Sequence, residues 1–416
     1  MSAKGITYTR WGAALILAAC VTGSTVVVGQ SVLSTAGLGE MRNFQTGRAF
    51  GMGEAGLAVI DEQQYNRWNP ALSAFFEMTA AFTGSFALDQ IQVTQQQAKF
   101  NNRLTRWSGG SLSVKITDYV ALTMGTAPQS DYDFEIESDD ADSPFVRTLI
   151  GTGGISSVYG SMAIKPHPWF AIGWAAHRYV GHTLDVENVI FDIGSGLINP
   201  KNKVQNSVGG MGYTFSGALR TPIGLSLGGF IQPGHTLTGE RKIEGVNSGP
   251  FLDDIDVKMP LTAGIGAAMI VGSRVHMAAD YTLFKADDMR FNEVAPQFVT
   301  DAHRIGFGVE LFPRPGETPA LTPRGPIFRA GVFRQQAYIR DIDGSAITET
   351  FFTLGVGTYA WRSRTMVDFG VQLGFRGSKT EDFAAERVVR FNISFSTLAR
   401  WFYRPSDDED EDPGTN

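Results

Sequence analysis

From about residue 78 onward the chain alternates apolar and small or polar residues with a period of two. Val367, Phe369, Val371, Leu373 and Phe375 alternate with Met366, Asp368, Gly370, Gln372 and Gly374. Ile305, Phe307, Val309 and Leu311 alternate with Arg304, Gly306, Gly308 and Glu310. The same pattern runs through Leu261–Val271, Val275–Leu283 and Val389–Phe395. Successive side chains of a strand point to opposite faces, so each segment has one apolar face and one small or polar face. A soluble sandwich and a transmembrane barrel both satisfy that pattern.

Length separates the two. The alternating segments run to about nine residues or more, which a tilted strand needs to cross a bilayer, whereas sandwich strands are nearer five or six. The connections also come in two kinds. Short ones are 117–118, 165–169, 220–222, 272–274, 361–364 and, longer than the rest, 313–326; long ones are 92–109, 127–153, 183–203, 234–256, 285–302, 338–346 and 377–387. Six short and seven long connections join fourteen strands, with short periplasmic turns and long extracellular loops. The expectation is an all-β fold, a 14-stranded antiparallel transmembrane β-barrel over residues 78–403. Open edges are forbidden in hydrocarbon, so the sheet must close. Tyr119, Trp169, Phe312, Trp361, Trp401, Phe402 and Tyr403 stand near strand ends, where aromatic girdles belong. The inward rows would carry Arg274, His276, Asp280, Arg304, Glu310, Asp368 and Arg390 as polar lumen residues. They also carry Gly264, Gly266, Gly306, Gly308, Gly370 and Gly374, which leave room for a plug or a ligand.

Ahead of the barrel, Lys4 and Arg10 precede an apolar stretch from Trp11 to Gly29, the form of a secretory signal covering residues 1–30. Leu17-Ala18-Ala19-Cys20 offers an alternative lipidation site, but the apolar stretch continues well beyond Cys20. Residues 31–77 lack clean alternation and are expected to form a hatch inside the lumen; residues 404–416 form an acidic tail. Gly51-Met52-Gly53-Glu54-Ala55-Gly56 fits a dinucleotide-binding string, yet no strand precedes it and no parallel α/β pattern follows. The run Gly47 to Val59, followed by Arg67-Trp68-Asn69-Pro70-Ala71, resembles the N-terminus of the FadL/TodX-type outer-membrane transport proteins. More narrowly it is similar to the FadL-like and PorV-like proteins of Bacteroidetes and related phyla. The resemblance implies a fourteen-stranded barrel whose N-terminal segment is a luminal hatch, with Asn69, Pro70 and Ala71 in it, and with Gly51 and Gly53 in the same segment.

Composition then narrows the function. Charged residues make up 19%, Gly numbers 48 and Phe 29, and the net charge is -7. Alternation accounts for the near-zero mean hydropathy of -0.06, because lipid-facing Phe, Val and Leu cancel lumen-facing Gly and Ser. Two acidic clusters, Asp131 to Asp142 and Asp407 to Asp412, account for the net charge. Nothing here calls for nucleic acid. One cysteine and six scattered histidines give no metal motif and no cofactor is implied. The acidic 131–142 loop lacks EF-hand spacing. The six histidines make no H-x-x-x-H or H-E-x-x-H, and the chain is read as a non-enzyme. The expected contacts are outer-membrane lipid, the barrel assembly machinery, and hydrophobic small molecules or lipids. The leading reading is uptake of long-chain fatty acids or aromatic hydrocarbons; the alternative is a PorV-like partner or shuttle for a secretion or gliding machine. A 47-residue luminal segment argues against an open porin. The two readings differ in the lumen: a continuous apolar pocket with a wall opening favours transport. A sealed lumen under large apolar loop tips such as Phe251, Leu252, Phe291, Val294 and Phe298 favours a protein partner.

Overall fold

A computed structural model describes residues 34, 37–42, 46–60, 64–76 and 80–399, apart from 96–97, 140–144, 192–198, 246–247, 297–298, 314–324, 341–343, 361–364 and 378–384. The signal segment, Cys20, Trp361, Phe298, the Trp401-Phe402-Tyr403 ending and the acidic tail lie outside these residues. Among those described, no helix is long and apolar enough to cross a membrane.

The wall has fourteen strands. They are β1 (Ala80–Gln95), β2 (Ala98–Thr117), β3 (Val120–Asp131, resuming as Phe134–Asp139), β4 (Phe145–His167) and β5 (Phe170–Phe191). Next come β6 (Lys201–Arg220), β7 (Leu225–Gln232, resuming as His235–Gly245), β8 (Ser248–Met259, resuming as Thr262–Val271) and β9 (Val275–Phe284). The circuit ends with β10 (Ala302–Leu311), β11 (Ile327–Arg340), β12 (Ala346–Tyr359), β13 (Thr365–Arg376) and β14 (Ala385–Ala399). Each pairs antiparallel with its neighbour, and β14 closes on β1 from Ala385↔Thr94 to Ala399↔Ala80. The interruptions in β7 and β8 fall side by side at Pro233 and Pro260, residues that cannot donate to the ladder. Below them β7 and β8 pair through Gln232↔Thr262; above them they pair again from His235↔Met259 upward.

Alternation sorts the side chains as the sequence pattern predicts. On β12, Phe352 and Leu354 face outward and are 55% and 61% exposed, while Glu349, Phe351 and Thr353 are buried inside. A barrel with an apolar exterior band and a polar interior is of the outer-membrane kind.

The strand lengths differ from the expected ten or so. β4 and β5 run to 23 and 22 residues, and their pairing continues up to Phe145↔Phe191. Most of the expected long loops at 127–153, 183–203 and 234–256 are therefore strand, forming a sheet that rises above the bilayer on the β3–β8 side. Its outer face meets water rather than lipid, so nothing imposes an apolar outward row there, although Leu237 and Ile255 are buried on the inner face, and the pattern that marks a strand fades.

One seam interrupts the ladder. β2 and β3 pair only up to Gly110↔Thr126. Above that point β3 turns from β2, and a short strand of the N-terminal segment, Glu40–Met41, takes its edge through Glu40↔Asp131 and Met41↔Ser130.

Candidate functional site

The described part of the N-terminal segment lies within the ring. It starts near the Glu40–Met41 strand, turns through α1 (Gly47–Gly51) and ends in a 3-10 helix, Pro70–Phe75. Thr46 caps α1 by accepting a hydrogen bond from Ala49 N at 3.0 Å, and Pro70 opens the 3-10 helix, where its missing N–H costs nothing. All residues of both helices are buried.

The wall is cut back to fit the segment. A Cβ on Gly308 would meet Met52, one on Gly306 would meet the Gly53 carbonyl, and one on Gly370 would stand 2.5 Å from the Phe50 ring. Gly264 and Gly266 likewise face Leu57; Gly374 instead accommodates Phe351 of the wall. Gly53 itself has φ +61°, and a Cβ there would strike the backbone of β10 and β11, so glycine is required twice over. Gly51 passes Gly355 with similar closeness.

Polar wall residues grip the segment in three tiers. In the first, Arg48 pairs with Glu310 and lies 2.8 Å from His276 Nδ1; Arg329 Nε donates to Glu310 at 2.8 Å and its Nη1 pairs with Asp368. Gln64 donates to Asp368 at 2.5 Å. In the second tier, Asp280 accepts the backbone N–H groups of Gly56 and Leu57 at 2.6 and 2.8 Å, and Arg304 pairs with Glu54. Asn69 donates to the Leu57 carbonyl at 2.7 Å, and Ala71 N donates to Ser216 Oγ at 3.0 Å. The third tier surrounds Glu40, which pairs with Arg376 and, at 2.5 Å, with Arg390. Arg42 pairs with Asp131 and, at 3.1 Å, with Asp89; Arg106 also pairs with Asp131. Arg376 further holds Glu349 at 2.8 Å and Glu386 at 3.1 Å. Burial pushes the Glu40 carboxyl up, but the guanidiniums of Arg376, Arg42, Arg390 and Arg106 outweigh it together and hold the group well below the usual carboxylate range.

Of the residues singled out by sequence, His276, Asp280, Arg304, Glu310, Asp368 and Arg390 are buried in this interior. Arg274 is not among them: it stands in the turn before β9, half-buried, with Nε donating to the Phe312 carbonyl at 3.1 Å. The even-numbered row containing Asp368 and Gln372 continues one step to Arg376, at the strand's end, and the row ending at Glu310 meets Arg329 on the next strand. Those two arginines, with Glu349 and Asp89, complete the tiers and were legible as charged members of inward rows. Arg42, Arg48 and Glu54 carry no periodic signal.

Little space is left. A cavity of about 80 Å³ is lined by Arg42, Trp68, Tyr179, Gln232, His235 and Arg304 among others. A second of about 50 Å³ borders Arg106 and Asp89, and a third, about 200 Å³, opens toward the extension beside Tyr132, Asp185 and Arg241. The first is walled mainly by apolar side chains, among them Met41, Met259, Phe284 and Ile339, with Arg42 and Arg304 at its edge. At the seam, side chains replace the missing ladder: Trp107 Nε1 donates to Thr126 Oγ1 at 3.3 Å and Arg106 reaches Asp131. Among the described residues there is no group of three or more His, Cys, Asp or Glu placed to hold a metal.

The solved structures with this architecture include a Pseudomonas aeruginosa FadL homologue, with a TM-score of 0.60 at 13% identity, covering 86% of this chain and 99% of that one. The Ralstonia pickettii toluene transporter TbuX superposes with a TM-score of 0.59 at 15% identity, covering 85% and 98%. The Pseudomonas putida toluene transporter TodX gives 0.58 at 14%, covering 86% and 99%. The fold is therefore the FadL-type barrel expected from the N-terminal residues. None of the curated proteins matches the chain by sequence. The BamG family model, in contrast, matches residues 13–406, nearly the whole length. The chain belongs to the BamG family.

Proposed function

We propose that this barrel is a sealed outer-membrane module that binds protein partners, working with the barrel assembly machinery that the family name BamG evokes, and that residues 31–77 serve as its hatch. The carrying observation is the filled lumen. A dry apolar cavity of about 150 Å³ admits benzene, and ordinary ligand pockets are about 300–1,000 Å³. The space around Trp68 and Tyr179 is about 80 Å³ though mainly apolar, and the cavity of about 200 Å³ beside Tyr132, Asp185 and Arg241 is also below ordinary pocket size. Large apolar side chains are instead displayed at the extracellular hairpin of β7 and β8 and in the loop after β9, where Phe251 and Val294 are 60% and 68% exposed.

Hydrophobe uptake is the second reading. The seam between β2 and β3 favours it, as does likeness to toluene transporters, but a ligand leaving there must first separate Arg106 from Asp131. Chemical crosslinking in native membranes, followed by purification and mass spectrometry, tests the choice. The expected result is reproducible crosslinks to barrel-assembly components and no hydrophobe in an organic extract of the protein. A recurrent bound hydrophobe, together with uptake into vesicles and no such crosslinks, would reverse the order of the two readings.

A further inference from the structure

Above the lipid-facing band, three outward rows on one side of the barrel end in arginine. On β11 the outward row reads Phe328, Ala330, Val332 and then Arg334. On β14 it reads Phe395, Ile393, Phe391, Val389 and then Arg387. On β2 Trp107 and Thr105 lead to Arg103. In each strand an exposed arginine is the first charge above the apolar row. The register runs Arg334↔Thr350, Thr350↔Phe375 and Phe375↔Arg387, which puts Arg334 and Arg387 in one cross-strand row. Three strand spacings separate them, about 14 Å. Arg103 is opposite Gln90, and Gln90 is opposite Val389, so Arg103 lies two strands and one outward step from Arg387, about 12 Å.

The outward neighbours between the three arginines are Thr350, Phe375, Gln92 and Gln90, with no carboxylate among them. The nearby Glu349 and Glu386 point inward and are spent on Arg376. Arg103, Arg334 and Arg387 make no ion pair or hydrogen bond among the described residues. Half a turn around the barrel the signs are mixed: exposed Glu240 stands opposite exposed Asp254, with Asp256 beside them, but Lys242 and Lys258 share the same outward rows. The three arginines have no such opposite charge beside them.

We propose that Arg103, Arg334 and Arg387 form a binding arc for the phosphate groups of outer-leaflet lipid. Guanidinium groups match phosphate oxygens in a bidentate fork, and their long stems lie along the apolar wall while the heads reach the headgroup layer. The acyl chains would cover Phe352, Leu373 and Phe391 beneath the arc. An anionic leaflet is attracted to this arc, whose outward neighbours carry no opposing charge, so the arc also orients the barrel among its neighbours.

The test uses the full chain in detergent micelles mixed with equal phosphatidylcholine and phosphatidylglycerol, with retained lipids counted by native mass spectrometry. The wild type should retain the anionic lipid in preference by roughly fivefold or more. Purified lipopolysaccharide should displace it, whereas excess inorganic phosphate should not. The combined variant Arg103→Gln, Arg334→Gln, Arg387→Gln should lose the preference, and Arg178→Gln, on β5 away from the arc, should keep it. Should the triple variant not fold, Arg387→Gln alone and a salt titration of the wild type provide the reading: the preference should weaken in both. Equal retention of both lipids by the wild type, displacement by inorganic phosphate, or an undiminished preference in the arc variants would overturn the proposal.

Discussion

The guanidinium of Arg106 on β2 holds the carboxylate of Asp131 on β3 just above the point where the two strands cease to share backbone hydrogen bonds. An ion pair therefore bridges the wall where the ladder is missing. Each side chain keeps a second partner when the other is removed, Asp131 with Arg42 and Arg106 with Asp89, so the loss is that of a charged hydrogen bond, about 1.5–3 kcal/mol. Arg106→Gln and Asp131→Asn are each expected to destabilise the barrel in urea unfolding by an amount of that order. Because the two side chains bond each other, the double variant should cost clearly less than the sum. Additive losses would show that the two side chains act separately.

The glycine-lined fit of the N-terminal segment predicts a steric effect. Gly308→Leu is expected to expel the 46–76 segment, because Met52 occupies the space a larger side chain needs. Limited proteolysis in intact vesicles should then cleave between residues 46 and 76 in the variant and leave the wild type whole. Gly160→Ala, with nothing within 4 Å of the new Cβ, is the matched control and should behave as wild type.

Asp280 receives two backbone N–H groups from Gly56 and Leu57. Hydrogen bonds to a charged group are worth about 1.5–3 kcal/mol each. Asp280→Ala should therefore loosen the turn at 56–57 and shift the fluorescence of Trp68, whose ring stacks on Phe230 at 5.0 Å. An unchanged Trp68 spectrum and unchanged urea midpoint would contradict the assigned role.

Glu40 predicts a pH response. Its carboxyl is held below the ordinary range in the folded state, so the stabilisation it brings is complete above the unfolded value of about 4.3 and is lost as pH falls through the lower folded value. Between pH 5 and pH 8 the contribution of Glu40 to docking, read as the difference in Trp68 fluorescence between wild type and Glu40→Gln, should stay constant; it should weaken only in stronger acid. Glu40→Gln should release part of the docking energy at neutral pH and flatten the acid response.

The closed sheet was legible because lipid imposes a strict period of two: Phe369, Val371 and Leu373 had to face one way and Asp368, Gly370 and Gln372 the other. The inward glycines at 306, 308 and 370 were visible by the same rule, and their purpose followed once Met52, Gly53 and Phe50 were found against them. The extension of β4 to β8 was illegible, since strands above the lipid need no apolar outer row and carry no such constraint. Arg48 and Glu54 were hidden for a related reason: an irregular segment has no period, and only their partners Glu310 and Arg304 mark them as interior residues. Arg274 went the other way, because a parity rule extended by one residue past a strand end runs into a turn.

The earliest part of the described chain is tied to the latest. Glu40 bonds Arg390, 350 residues on, and Gly47 packs against Ser394. The final strand thus closes against a segment laid down at the outset, as a last stave is set against a former. Contacts of such sequence separation are slow to make, so the circumference and its contents are both late to be completed.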